Sequence, residues 1–235
     1  QLRSISEADF AALVADAKAM SADSNGAKVL RLTDGRILKL FRLKHRVSSA
    51  RFRPYAKRFV ANAAELARLG IPAVEVLDSF RIPSRARDAV VTREFPGKTL
   101  REHLGCGDPA TDLWPRIARF LAQLHARGIL FRSVHFGNIM VAETGTLGLI
   151  DVADLRTRRR PLTRRERARN VNHFLRRQPD RARFATVDLA DFMAHYQAEV
   201  PIAPRLAEAV ANAFQAALAD QGAQRATGQD ETQPH

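Results

Sequence analysis

The sequence predicts an α+β fold, with a small antiparallel sheet and one helix first and a mostly helical part after it. Three observations predict this. Apolar and polar residues alternate at Lys28–Leu32 and again at Arg36–Phe41, on either side of an Asp34-Gly35 turn. Further on, Leu113, Ile117, Phe120, Leu121 and Leu124 recur at helical spacing. Between the two regimes stands Pro96-Gly97, which interrupts both kinds of element. Alternation marks a half-buried strand, whereas a spacing of three to four residues marks one face of a helix.

The elements follow in order. Ser6-Glu7-Ala8-Asp9 is a helix start with Ser6 as cap, and Phe10, Leu13 and Val14 continue its apolar face. Asp23-Ser24-Asn25-Gly26 is a turn. Asp34-Gly35 joins two strands as a tight hairpin, because glycine tolerates the positive φ such a turn demands. A basic linker from Arg42 to Arg58 leads into a helix from about Tyr55 to Leu69, with Phe59, Asn62, Leu66 and Leu69 on one face. Gly70-Ile71-Pro72 stops that helix. Val74–Leu77, Ser79–Ile82 and Ala89–Arg93 are short strands, and Thr99–Leu104 is a short helix. Asp112 or Thr111 caps the next helix, which has Pro115 in its first turn and Gly128 at its end. Leu147 to Ile150 is a buried strand that ends at Asp151. Thr163-Arg164-Arg165-Glu166 is a capping box. Helices near 187–198 and 204–219 close the fold, and the polar residues 221–235 are expected to be a disordered tail. The expected division is 1–95 for the sheet-bearing part and 96–220 for the helical part.

With 46% hydrophobic residues among 235, the chain can bury a sizeable core. Lys and Arg number 38 against 25 acids, a net charge of +13. Such a balance points to an anionic partner: nucleic acid, an acidic membrane surface or a phosphorylated substrate. The competing explanation is a solubilising charge with no partner at all. Nucleic acid is disfavoured, because no recognised binding motif is present and aromatic residues, the usual stacking platforms, are 7% of the chain. Cys106 is the single cysteine, so no disulfide can form within the chain, which fits a reducing compartment. No apolar run approaches the roughly 18–20 residues a membrane span needs, and no signal-peptide segment opens the sequence. The expected location is cytoplasmic, with peripheral contact at the cytoplasmic face of the inner membrane as a further option.

Three features carry chemistry. Lys39 lies in an alternating strand between Leu38, Leu40 and Phe41. A lysine there is either an edge-strand charge or a phosphate-binding point charge held by a rigid strand. Next comes the segment from Leu124 to Ile139, with Ser133, His135 and Asn138 in it, and after it Leu149-Ile150-Asp151-Val152-Ala153-Asp154. An Asn that closes a loop, a short apolar strand, a turn and a strand ending in Asp make a cation-binding arrangement. Amide and carboxylate oxygens suit Mg²⁺, which keeps its other positions for phosphate oxygens and water. Alone, Asn138 reads equally as a turn residue and Asp151 as a cap; their order and spacing argue against both.

This segment resembles the catalytic loop of the protein-kinase superfamily, in the bacterial form with His and Gly before the Asn. It is similar to the lipopolysaccharide-core kinases (Kdo and heptose kinases) and to the related toluene-tolerance and InaA-like proteins, over roughly Lys28 to Leu175. The resemblance implies a protein-kinase-like fold of two lobes. It implies that Lys39 contacts the α/β-phosphates of ATP, and that Asn138 and Asp151 bind Mg²⁺, with Asp151-Val152-Ala153 in place of Asp-Phe-Gly. Val91 to Phe95, including Glu94, would be the hinge under the adenine, and Gly26 would lie in the loop over the phosphates. That loop has a single glycine, which departs from the glycine-rich pattern. The helix acid that pairs with the strand lysine has two candidate places: Asn62 stands at the expected turn, and Glu65 one turn later.

The family's His-Arg-Asp reads here as Phe131-Arg132-Ser133, so Ser133 stands where the family has its catalytic aspartate. A serine hydroxyl is not ionised near neutral pH and cannot act as a carboxylate base. It can still orient a substrate hydroxyl, and phosphoryl transfer depends mostly on positioning and charge neutralisation. Losing a general base removes about 10²–10⁴ in rate. His135 is the nearest other base, or else a structural loop residue. After Asp151 come Arg156, Arg158, Arg159 and Arg160, and then Arg164, Arg165, Arg167 and Arg169. In a kinase fold the acceptor docks here, and guanidinium forks suit phosphate and carboxylate; the alternative is a solvated helix face. Two functions are therefore expected. One is an ATP- and Mg²⁺-dependent phosphotransferase acting on a lipopolysaccharide-core sugar, an anionic glycolipid or a phosphorylated sugar. The other is a pseudokinase that binds nucleotide or a partner without transfer.

Overall fold

The computed structural model describes residues 2–23, 26–43, 54–105 and 112–219. Cys106, the Ser24-Asn25 pair, most of the basic linker before Arg58 and the tail expected at 221–235 lie outside the described residues. The chain divides into two compact units, one of residues 1–99 with 138–156, the other of 100–137 with the chain from 157 onward. The sequence puts the break at residues 95–96. The observed division falls at Thr99 because Lys98 and Thr99 still pair with a strand of the first unit, and residues 138–156 return to that unit for the same reason.

The first unit is built on a six-stranded sheet. Its elements are β1 (Arg3–Ser4), α1 (Glu7–Val14), β2 (Lys18–Asp23), β3 (Gly26–Arg31), β4 (Ile37–Arg42), α2 (Tyr55–Arg68), β5 (Val76–Ile82), β6 (Arg87–Thr92) and β7 (Lys98–Thr99). The sheet order is β1-β5-β6-β4-β3-β2. All neighbours are antiparallel except β1, which runs parallel to β5 at the edge. One face carries Leu30, Leu38, Leu40, Phe80, Ile82, Ala89 and Val91, all buried, with Phe10 of α1 laid against them. The capping box fixes α1: Ser6 Oγ accepts from the Asp9 N–H at 3.1 Å, and Asp9 accepts from Ser6 in return. Val74–Leu77 and Ser79–Ile82, expected as two strands, give way to the single strand Val76–Ile82 with a bulge between Val76 and Asp78, so the alternation shifts phase within a continuous element. The sequence also gives no strand over Lys18–Asp23. Its exposed, mixed composition hides it, and pairing with β3 makes it.

The chain continues with α3 (Leu100–Gly105), α4 (Leu113–Ala126), β8 (Ile129–Phe131), β9 (Ile139–Val141), β10 (Leu147–Leu149), α5 (Arg164–Phe174), α6 (Gln178–Phe184), α7 (Leu189–Glu199) and α8 (Pro204–Ala219). In the first unit β9 and β10 form a hairpin, and β7 pairs with β9. Pro72 and Val74 are joined to Leu149 by two backbone hydrogen bonds of 3.0 and 3.1 Å. In the second unit α4 packs on α7 and α5 on α8. Phe174, Phe184, Phe192 and Phe214 meet there in edge-on and stacked contacts with centroids 5.0–6.4 Å apart. Among the described residues, no helix is long and apolar enough to cross a membrane.

Candidate active site

In the first unit, β4 is a central strand. Lys39 lies opposite Val29 on β3 and Val90 on β6, so its backbone is held on both sides. This removes the edge-strand explanation for its charge. The ammonium lies 2.5 Å from Asp151 Oδ1, and 5.7 and 5.8 Å from the ring centroids of Phe41 and Phe59. The aromatic faces favour a cation there without neutralising it.

Asn138 and Asp151 come to the same end of one hairpin. Asn138 directly precedes β9, Asp151 follows β10, and Ile139 pairs with Leu149. The Ile150 N–H donates to the Asn138 carbonyl at 3.0 Å. Asn138 is buried at 8% exposure, while the Asp151 carboxylate is 43% exposed. One exposed carboxylate with a neighbouring amide suits a cation that retains water and phosphate ligands, as Mg²⁺ does. A structural site would need more protein donors. Among the described residues, no group of three or more His, Cys, Asp or Glu is placed to hold a metal.

Asp151 has φ 55° and ψ 43°, the left-handed region. A 3-10 turn, Val152–Asp154, follows it directly. From α2, Asn62 Nδ2 donates to the Val152 carbonyl at 2.7 Å and the Leu155 carbonyl at 3.1 Å. Arg58, one turn earlier, holds Asp154 at 2.8 Å. Glu65 is engaged elsewhere. Both its oxygens accept from Arg68, at 2.8 and 2.7 Å, and this pairing holds its carboxyl below the usual range. Of the two helix candidates, neither is an acid set on Lys39: the lysine is brought to Asp151, Glu65 to Arg68 and Asn62 to the turn.

Glu94 follows β6 and forms an ion pair with Arg31 of β3. Phe95 lies against Gly148, where an added Cβ would stand 2.2 Å from the ring. Gly26 opens β3 opposite Asp23 with φ 94°, a conformation that favours glycine.

In the second unit, β8 leads into the loop that carries Ser133 and His135. The Ser133 carbonyl accepts from the His135 N–H at 2.9 Å. His135 Nδ1 accepts from the Gly137 N–H at 3.2 Å, so the neutral ring carries its proton on Nε2. Burial, then Arg177 and Arg101, push the pKa of His135 down to about 4. The ring is therefore a neutral donor at working pH, with its one lone pair engaged; as a proton acceptor it is weak. Asp180 braces this loop. Buried at 1%, it takes Arg101 through two bonds of 2.9 and 2.8 Å and also accepts from the Phe136 N–H at 3.2 Å.

Behind the loop is a buried polar chain. Asn170 Nδ2 donates to the Phe131 carbonyl at 2.9 Å, and its Oδ1 accepts from His125 Nε2 at 2.9 Å. His125 Nδ1 then accepts from the Tyr196 hydroxyl at 2.7 Å. Arg167, also buried, donates to Tyr196 and to the Leu162 carbonyl. Burial pushes the pKa of His125 down to about 3.

The arginine run divides. Arg158 and Arg160 donate to Glu166, at 3.1 and 2.7 Å, and Glu166 also closes the capping box with Thr163. Arg160, followed by that cap, lowers the pKa of Glu166 to about 2. Arg156 and Arg159 are exposed, and Arg167 is in the core. A second basic group joins Arg169 of that run to Arg132 and Arg176, which the sequence did not single out. Arg169, Arg132 and Arg176 all lie close enough to His173 to join its burial in lowering its pKa, and His173 Nε2 is buried without a partner. Arg169 and Arg176 lie in and just after α5, while Arg132 is distant in the chain and follows Phe131, whose carbonyl accepts from Asn170 of α5.

A predominantly antiparallel sheet bearing Lys39, a hairpin ending in Asn138 and Asp151, and a helical second part fit a kinase-like α+β fold. Residues 92–196 match the lipopolysaccharide kinase (Kdo/WaaP) family, which agrees with the resemblance seen in the loop. That match spans somewhat under half of the chain. No curated protein matches the chain.

Proposed function

We propose that this protein is an ATP-dependent phosphotransferase that acts on a sugar hydroxyl of the lipopolysaccharide core or of a similar anionic glycolipid. The observation that carries the reading is the ion pair of Lys39 with Asp151 at the hairpin end shared by Asn138. Lys39 would bind the nucleotide phosphates, and Asn138 and Asp151 would hold Mg²⁺. The bound metal would neutralise charge on the phosphates, which is most of what this chemistry asks of a protein. Ser133 would orient the acceptor hydroxyl by accepting its hydrogen bond. His135, a donor at Nε2, suits a phosphate or carboxylate oxygen better than it suits a hydroxyl proton. Arg156 and Arg159 remain acceptor-binding candidates, while Arg158 and Arg160 would first have to leave Glu166.

The same Ser133 supports the second reading, a pseudokinase that binds nucleotide without transfer. One pair of measurements separates them. Mg-ATP is expected to raise the melting temperature, and labelled γ-phosphate is expected to appear on purified core glycolipid and to vanish in Asp151→Ala. Stabilisation with no transfer favours the pseudokinase, and no stabilisation at all removes both.

A further inference from the structure

Asn62 stands on α2 where the resemblance leads one to expect an acid facing the strand lysine. Its amide instead makes two good bonds to the main chain, to the Val152 carbonyl at 2.7 Å and the Leu155 carbonyl at 3.1 Å, with Ala153 farther off at 3.4 Å. A side-chain amide has two N–H donors, and both are used on acceptors. A carboxylate in this place would face carbonyl oxygens with no proton to offer. Arg58, four residues earlier and so on the same helix face, holds the Asp154 side chain at 2.8 Å. Two residues of one helix thus bracket the turn Val152–Asp154.

That turn begins at Asp151, whose backbone is left-handed with φ 55°. A residue with a Cβ stays in this region only where its surroundings hold it. The Asp151 side chain makes no capping bond to the turn, whose own backbone bond runs from the Leu155 N–H to the Val152 carbonyl. The bonds from Asn62 add a hold on that turn from the helix.

We propose that Asn62 is a positioning residue for Asp151. It fixes the turn that aims the carboxylate, and it does so by neutral hydrogen bonds to the main chain. The proposal rests on the metal and nucleotide reading above. It deepens that reading, because it assigns the link between helix and metal-binding turn to a residue with no charge. Lys39 is then left to Asp151, and the helix acts on the site through the backbone.

The test compares the wild type with Asn62→Leu, which keeps the size and removes both donors, and Asn62→Ser, which keeps one short donor. Two affinities are measured by calorimetry: Mg²⁺ at a fixed ATP concentration, and ATP without metal. Asn62→Leu should weaken the apparent Mg²⁺ affinity about tenfold, the scale of one or two lost hydrogen bonds, and Asn62→Ser should fall between. Metal-free ATP affinity should stay within about twofold, since Lys39 is untouched. Equal losses in both affinities would mean a general structural role and would overturn the proposal, as would an unchanged Mg²⁺ affinity. Should Asn62→Leu fail to fold, Asn62→Ser alone decides by the same split. A wild type that binds no Mg-ATP removes the nucleotide reading and this proposal together, whereas wild-type binding with indifferent variants removes the proposal alone.

Discussion

The Nζ of Lys39 and Oδ1 of Asp151 lie 2.5 Å apart, with the side chains 21% and 43% exposed. Lysine and divalent cation would therefore compete for one carboxylate. Lys39→Met is expected to weaken ATP binding by about tenfold or more, the loss of a charged hydrogen bond to phosphate. In the same variant, Mg²⁺ affinity without nucleotide should be kept or raised, because Asp151 is released. Asp151→Ala should abolish the Mg²⁺ dependence of ATP binding. Calorimetric titration of both variants checks the opposite signs.

Ser133→Asp restores the carboxylate that the loop resembles. If base strength is what the chain lacks, γ-phosphate transfer to core glycolipid should rise by roughly 10²–10⁴. Ser133→Ala should lower transfer further, by removing the hydroxyl that orients the acceptor. A Ser133→Asp variant no faster than wild type would show that the aspartate is not the missing element.

Stability should depend on pH chiefly through His125 and His135, with His173 acting in the same direction. Unfolded, His125 and His135 titrate near 6.5; folded, near 3 and 4. Between those values the unfolded chain binds protons that the folded chain refuses, so stability rises with pH and is complete above the unfolded value. The melting temperature should be flat above about pH 7 and fall as pH drops from about 6.5 toward 4. His135 is only half-buried, so His135→Gln should flatten the curve less than loss of the fully buried His125 would. Glu166, lowered to about 2, acts in a separate and more acidic window; its contribution is present above the unfolded value of 4.5 and is lost as pH falls through the folded one.

Asn170→Ala removes the partner of two buried groups, the Phe131 carbonyl and His125 Nε2. Each orphan costs roughly 1–3 kcal/mol, so a loss of about 2–6 kcal/mol is expected. Urea unfolding measures it. A loss under about 0.5 kcal/mol would mean that water replaces the amide at no cost.

Local chemistry was readable in the sequence where it acts over a few residues. The cap at Ser6, the capping box at Thr163 and the Asp34-Gly35 hairpin each join neighbours in the chain, and each is present. Long-range partners were not. Arg101 meets Asp180 across 79 positions, and Asn62 reaches Val152 across 90. Asn62 was visible as a polar residue on an apolar helix face, and its spacing posed the right question beside Glu65. The answer lay in main-chain carbonyls, which carry no side-chain signature. The α6 helix, Gln178–Phe184, was also missed, because seven residues are too few for a periodic signal.

The first unit is discontinuous, and this bears on the order in which the molecule can be made. Residues 1–99 receive their last pieces from 138–156: β9 pairs with β7, Leu149 bonds to Pro72 and Val74, and Asp151 meets Lys39. Gly97 and Gly148 seal the seam, since a Cβ at either would press within 2.1 or 2.2 Å of Val141 or Phe95. During synthesis the sheet can begin to assemble early, but its small companion sheet must wait until the hairpin has left the ribosome. A chain released at Thr99 would keep the main sheet's strands and lack the hairpin that pairs with β7. Such a fragment is expected to be held by chaperones or to aggregate, and the full chain is expected to acquire protease resistance only after residue 156 has emerged.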